Sequence, residues 1–520
     1  RPAGSRHKAK YSSSKMVLES ELHVVLLLFI VWSSELACKR VNISPIIGQI
    51  AAGLVIGPAL LDLFAHVEVF RLLGKLGVMI VVVESGLTVD VRVLRKVGAR
   101  AFLVGITGVI LPTVISFALY AGLLDADWKT ALSVGAALSP TSLGFSAQLL
   151  GEVGELTTPI GQLICTAAVI DDVLSLLLLA EVQALGDEDP KWYAYAVPVL
   201  GSVGSVVLGI LATVFVSSKT EQMDAWLTSL NESCRSPFSS SSASFALSPR
   251  RERLPSAAAT SPDKSSRSSP RGNPAEANKS GDVGAGAAGG GEGRFISTLE
   301  LATLTEADGE PGGGGGGGEG TPGLVSRGRL STGVGGDGGG EGWVGTGDRV
   351  LLAMVLALSL LFAYVSSAMG SSDLLGCFFG GVAFSGVPGV GKVWERQMKR
   401  FSQWGLRLFF AATVAFSVPS IYQDGGLLRV GPFWKGLVLT VAAIVGKLAV
   451  GVFAGPPLTL AGFLKLGWAM NGRGEFSFLI AQEASDEGVL SAEDYSAVVW
   501  ALLLSSLATP IAFRRVLFAD

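Results

Sequence analysis

The chain has 520 residues, 49% of them hydrophobic and only 16% charged, and its 40 Lys+Arg against 43 Asp+Glu leave a net charge of −3. A soluble domain usually carries about 25% charged residues. Here the deficit falls in apolar segments long enough to cross a hydrocarbon core, which excludes an ordinary soluble domain and predicts a polytopic membrane protein. The near-neutral balance offers no basic, aromatic-interleaved domain for nucleic acid. The four cysteines (Cys38, Cys165, Cys234, Cys377) and three histidines (His7, His23, His66) show neither a disulfide framework nor metal-ligand spacing. The chain starts at Arg1 without a signal peptide, which reads as a fragment or a processed chain.

Hydropathy predicts an N-terminal tail over 1–20 and about thirteen spans, near 21–38, 44–62, 73–89, 100–123, 128–150, 157–183, 192–217, 348–369, 371–387, 402–420, 431–455, 458–484 and 494–515. They form an N-terminal transmembrane half, 21–217, and a C-terminal half, 348–516. Between them, 218–347 is Ser/Arg-rich and then Gly-rich, including Gly312 to Gly318. That segment cannot bury enough apolar surface to fold and is expected to be a disordered cytoplasmic linker.

Basic connections (Arg92, Arg95, Lys96 and Arg100; Lys392, Arg396, Lys399 and Arg400; Arg514 and Arg515) fall on one side of a thirteen-span layout. Acidic ones (Asp125 and Asp127; Asp187 to Asp189; Asp486, Glu487, Glu493 and Asp494) fall on the other. This pattern predicts the N-terminus outside and the C-terminus inside, against which stands the basic tail of Arg1, Arg6, Lys8 and Lys10. Thirteen spans divide as six, one and six. An offset of seven reverses orientation, so the halves are expected to be inverted repeats with a site at the midplane between broken helices.

Two neighbouring acids, Asp171 and Asp172, lie mid-span in the sixth segment. A carboxylate at the bilayer centre costs roughly 2.5–3.5 kcal/mol on insertion scales, so the default reading is an ion or proton site. Adjacent helical residues project about 100° apart, so one acid can meet a protein partner while the other faces a cavity. A carboxylate in that setting can hold either a proton or a monovalent cation, and competition for one site is the simplest way to exchange them. Lys447, mid-span in the eleventh segment, is the natural counter-ion; the competing reading is a lysine that snorkels to a span end.

Ser139, Pro140, Thr141 and Ser142 interrupt the fifth span, and Asn471, Gly472, Arg473, Gly474 and Glu475 interrupt the twelfth, seven spans later. Two interruptions in matching positions point to crossing helices around an ion site; a proline kink and an interfacial loop are the alternatives. Glu84, mid-span in the third segment, is expected to line the cavity or pair across helices, whereas Glu181 and Glu483 sit near span ends. Gly386 to Lys392 nearly fits a phosphate-binding loop, but Val393 stands where Ser or Thr is required.

Taken together these residues resemble the cation:proton antiporter-2 branch of the monovalent cation:proton antiporters. Pro45 to Pro58 looks like the family's early helix motif, and Val83 to Asp90 with the basic turn to Arg100 like its third-helix end. Leu375 to Gly381 resembles its Gly-rich helix and Arg473-Gly474-Glu475-Phe476 its second broken helix. The resemblance implies an all-α sodium/proton antiporter fold of the electrogenic Asp-Asp type. Asp172 would be the cation and proton carrier, Asp171 would pair with Lys447, and Thr141 and Ser142 would stand at the first crossing. Apart from the resemblance, the interruptions and the third span offer Ser139, Pro140, Glu84, Arg473 and Glu475 as candidate supporting residues. The resemblance also implies a homodimer whose core domain moves against a dimerisation domain. Glu84 in place of an apolar residue and the long linker depart from the family pattern.

The expected function is therefore antiport of Na⁺ or K⁺ against H⁺ across the lipid bilayer, with no covalent chemistry, no cofactor and no nucleic-acid partner. The alternatives are a sodium-coupled solute symporter and a non-transporting ion or pH sensor. Neither the cation nor the membrane, plasma membrane or organelle, is decided by the sequence.

Overall fold

A computed structural model describes residues 4–41, 44–63, 67–89, 98–186, 192–235, 346–420, 425–455 and 458–517. All of its regular structure is helical. In chain order the helices are α1 (Gly4–Arg40), α2 (Pro45–Ile56), α3 (Val67–Leu87), α4 (Ala99–Leu123), α5 (Trp128–Ala137), α6 (Leu143–Glu152), α7 (Pro159–Leu185), α8 (Trp192–Ser218) and α9 (Thr220–Arg235). After the linker come α10 (Thr346–Ala368), α11 (Asp373–Phe384), α12 (Val390–Gln397), α13 (Lys399–Leu408), α14 (Val430–Leu448), α15 (Leu460–Ala469), α16 (Glu475–Asp486) and α17 (Ala492–Leu517). A π-turn, Phe409–Val414, continues α13, and a 3-10 segment, Ala449–Ala454, continues α14.

Each expected span contains a helix. Among the described residues seven helices are long and apolar enough to cross a membrane unaided. The fifth and twelfth spans fall short because each is two short helices around a break: α5 and α6, then α15 and α16. The second and ninth spans are shorter than expected, since α2 stops at Ile56 and α11 at Phe384. Two boundaries need correction. The tail placed before residue 21 is helical from Gly4, in one run with the first span. The linker placed from residue 218 begins with α9, because Thr220–Arg235 contains no Pro or Gly to break a helix. The rest of the linker (236–345), the basic turn at Arg92, Arg95 and Lys96, and Asp187 to Asp189 lie outside the described residues. By contacts, Arg1–Asn231 and Phe295–Asp520 form one unit and Glu232–Arg294 a second, of which only the end of α9 is described.

Local chemistry marks where helices start. Asp127 caps α5 by accepting from Lys129 N at 3.1 Å, and Thr158 caps α7 by accepting from Gly161 N at 3.2 Å, with Pro159 in the first turn. The outward faces stay apolar: Leu200, Phe215, Leu360, Leu361 and Leu460 are exposed, as a lipid-facing surface requires.

Two bundles make up the membrane unit. One packs α4, α5, α7, α14, α16 and α17, with α15 against α17; the other packs α1, α2, α3, α10, α11 and α13. Helix α8 touches both, through α7 and α11. In the second bundle α3 approaches α13 so closely at Gly77 and Gly405 that a side chain on either would overlap the other's backbone. Lacking a hydrophobic drive between helices in lipid, such small-residue contacts supply the packing.

Candidate functional site

The site is built where the two interruptions cross. Pro140 cannot donate a helical hydrogen bond, and α5 ends at Ala137 with Ser139 Oγ donating back to Ala136 O at 2.9 Å. The chain restarts at α6 under a Ser142 cap, Ser142 Oγ accepting from Phe145 N at 3.3 Å. In the second interruption α15 ends at Ala469 and α16 starts after Gly474.

Each break satisfies the other's freed backbone. Ser142 N donates to Gly472 O at 2.8 Å, Thr141 Oγ1 to Met470 O at 2.9 Å, and Ser146 Oγ to Ala469 O at 2.6 Å. In return the Arg473 guanidinium donates to Leu138 O and, at 3.2 Å, to Pro140 O, and also reaches Ala443 O at 3.4 Å. Ser477 Oγ adds a bond to Pro140 O at 3.3 Å, and Asn471 Nδ2 ties the second break to Thr509 Oγ1 on α17 at 2.8 Å. Five carbonyls freed at the two breaks, those of Leu138, Pro140, Ala469, Met470 and Gly472, have thereby found donors in an oil-like interior.

Asp171 and Asp172 reach this crossing from the middle of α7, and their environments differ. Asp171 is wholly buried: its Oδ2 accepts from Thr141 N and lies 3.5 Å from Lys447 Nζ, which itself donates to Thr141 Oγ1 at 2.6 Å. Lys447 is also wholly buried, near the end of α14. A buried charge pair is tolerable only with such extra hydrogen bonds. Asp172 retains 3% exposure, and among the described residues nothing hydrogen-bonds to its carboxylate. One turn on, Ser175 Oγ bonds Asp171 O at 2.7 Å and leaves both carboxylates alone.

The structure brings Asp171, Asp172, Lys447, Ser139, Pro140, Thr141, Ser142, Arg473 and Glu475 to one crossing. Glu84 stands apart from it: on α3, in the second bundle, it accepts from Ser402 Oγ of α13. Glu483, expected near a span end, pairs with Lys75 of α3 at 3.3 Å. Ser146, Ser477 and Thr509 escaped sequence reading; their one signal is a hydroxyl inside an apolar run within reach of a helix break.

Broken helices thus cross at a buried acid pair, one acid locked by a lysine and its neighbour unbonded. A family described as "Sodium/hydrogen exchanger, transmembrane" matches residues 24–233 and 346–519, on both sides of the linker, and the chain belongs to that family of membrane transporters. It is an integral, multi-pass membrane protein. Among similar proteins are the High-affinity Na(+)/H(+) antiporter NhaS3 of Synechocystis, 27% identical over 225 residues that cover 36% of this chain and 49% of that protein, and Cation/H(+) antiporter 15 of Arabidopsis thaliana, 30% identical over 199 residues that cover 35% and 24%. The chain thus spans about half or less of the length of these curated relatives. A solved structure of the sodium proton antiporter MjNhaP1 from Methanocaldococcus jannaschii has the same fold, with a TM-score of 0.54 at 11% identity over 96% of this chain and 97% of that one.

Proposed function

We propose that the chain exchanges a monovalent cation, Na⁺ or K⁺, for protons, with Asp172 as the carrier. The observation that supports this reading is the asymmetry of the acid pair: Lys447 and Thr141 occupy Asp171, while Asp172 keeps an unbonded carboxylate with residual exposure. A carboxylate in that position exchanges a proton for a cation at little cost in protein contacts, because no protein donor has to be displaced. Asp171 and Lys447 hold the crossing in place, and the charge of Asp171 is balanced within the protein.

The seam between the bundles fits alternating access. Few polar ties cross it: Lys75 with Glu483, and Tyr495 Oη donating to Val414 O at 2.9 Å. The first bundle can shift against the second by exchanging those ties, carrying the site from one side to the other, and a homodimer through the second bundle belongs to the same reading.

The test is cation-driven proton movement in liposomes containing the full chain. Wild type is expected to move protons on addition of Na⁺ or K⁺, and Asp172→Asn to abolish the movement while remaining folded. Full flux in Asp172→Asn would remove Asp172 from the mechanism. No flux from folded wild type with any alkali cation would overturn antiport altogether.

A further inference from the structure

The polar ties between the two bundles gather at one level of the seam. There the second bundle presents α3 and the π-turn after α13, and the first bundle presents α16 and α17. Phe410 of the π-turn packs edge-on against Phe478 of α16, with ring centroids 5.4 Å apart. Four residues further along both elements, Val414 O and Gln482 Oε1 meet the same Tyr495 hydroxyl, at 2.9 and 2.8 Å. Glu483, the next residue of α16, pairs with Lys75 of α3 at 3.3 Å. The π-turn itself is held to α3, where Thr413 Oγ1 donates to Arg71 O at 3.4 Å and Gly74 leaves no room for a side chain beside Thr413. Val414 therefore moves with the second bundle.

Of the two ties the ion pair is the weaker hold. The Lys75 side chain is 47% exposed, so water and salt screen its charge. Phe410, Val414, Phe478, Gln482 and Tyr495 are all buried, so the Tyr495 hydroxyl has protein groups to bond with and little else.

A phenol carries one O–H and donates once, yet Tyr495 faces two acceptors, one on each bundle. Gln482 does not turn its amide to remove the conflict. Its Nε2 donates to the Asp486 carboxylate at 2.9 Å, which keeps Oε1 on Tyr495. Among the described residues no other donor reaches Gln482 Oε1. A buried tyrosine needs a partner, and a core tyrosine bonded to Val414 O alone would meet that need. Core packing leaves the second acceptor unexplained: Gln482 Oε1 goes short whenever the hydroxyl points at Val414 O, and a buried acceptor left short is costly.

We infer that Gln482 is the release acceptor of the seam. While the bundles are docked, the Tyr495 O–H is shared with Val414 O of the second bundle. As they part, the hydroxyl turns to Gln482 Oε1 within its own bundle and stays bonded. The O–H rotates about the C–O bond; no proton is transferred. The seam then opens without stranding a buried hydroxyl, and Asp486 holds Gln482 in position for that role. This rests on the antiporter reading above, in which the bundles move against each other. It assigns the pace of that movement to two residues outside the carrier crossing.

The test compares wild type, Gln482→Met, Tyr495→Phe and the double variant, full chain in liposomes, with flux titrated against Na⁺ and K⁺. Amide hydrogen exchange over 409–417, a segment none of these substitutions alters, reports opening of the seam directly. Gln482→Met leaves Tyr495 only Val414 O, so it is expected to lower the maximal rate about tenfold, with the apparent cation KM within about twofold, and to slow exchange over 409–417 about tenfold. Tyr495→Phe has no hydroxyl to strand, so it should run at wild-type rate or faster. The double variant should recover the rate and the exchange of Tyr495→Phe. Mere damage to folding by Gln482→Met would not be repaired by removing a further polar group. A wild-type rate in Gln482→Met, or a double variant as slow as Gln482→Met alone, would overturn the assignment. Should wild type carry no flux, antiport is what fails, and exchange over 409–417 still decides the role of Gln482: equal exchange in wild type and Gln482→Met refutes it.

Discussion

The two helix breaks do the same geometric job with different chemistry. The first, from Leu138 to Ser142, carries no charge and offers hydroxyls and carbonyls; the second, from Met470 to Gly474, contributes the buried guanidinium of Arg473. Arg473 donates to carbonyls of the first break, and Thr141, Ser142 and Ser146 donate to carbonyls of the second. Each break has some bonds within its own half, such as Thr141 N to Asp171 and Asn471 to Thr509, but neither is fully satisfied there, so the halves must fold against each other before either interruption is tolerable in lipid. The two are unequally vulnerable, because one side chain serves several groups of the first break while the second is served by several small donors.

Replacing Arg473 should expose that asymmetry most strongly. Arg473→Ala strands Leu138 O in a dry interior, leaves Pro140 O only the 3.3 Å bond from Ser477 Oγ, and is expected to cost about 3–5 kcal/mol. Arg473→Lys should recover only part, since an ammonium lacks the planar fork that spans several carbonyls. Detergent melting temperature and the yield of monodisperse protein report the loss; a variant as stable as wild type would show that the second break does not support the first.

Lys447 sharpens the comparison from the acid side. Lys447→Met leaves Asp171 buried without its counter-ion and should cost about 3 kcal/mol. Adding Asp171→Asn should give much of that back, a coupling of at least about 1 kcal/mol in a double-mutant cycle on melting stability. Additive effects would mean that the pair is not the tie between α7 and α14. Asp172→Asn removes no protein contact, so it should leave the melting temperature near wild type while abolishing flux.

The smallest expected effect is at the first break. Ser142→Ala loses one cap bond, to Phe145 N, and should cost about 1 kcal/mol. Its backbone bond to Gly472 O is untouched, so flux should persist. A Ser142→Ala protein as damaged as Arg473→Ala would erase the distinction between the breaks.

Much of this was legible in the sequence. Hydropathy is a local property, so the thirteen apolar spans could be counted before their packing was known. Pro140 among hydroxyls and the Asn471 to Gly474 run with its two glycines are unfavourable inside a helix, so both interruptions were visible, as were Asp171, Asp172 and Lys447 as charges in the wrong solvent. Boundaries fared worse: the linker's first residues, polar enough to read as unstructured, form α9. Glu84 belongs to the second bundle, with Ser402, because sequence distance says nothing about which helix lies alongside.

The sequence by itself therefore determined a polytopic all-helical membrane protein, its two broken spans and the ionisable groups placed in them, since each follows from the free energy of individual residues in lipid. Only the tertiary structure decided which aspartate Lys447 engages, whose carbonyls Arg473 serves and where Glu84 points. Those pairings join residues some three hundred positions apart. They are set by the angle at which the broken helices cross and by the close approach of helices at glycines such as Gly77 and Gly405, which no local pattern in the chain encodes.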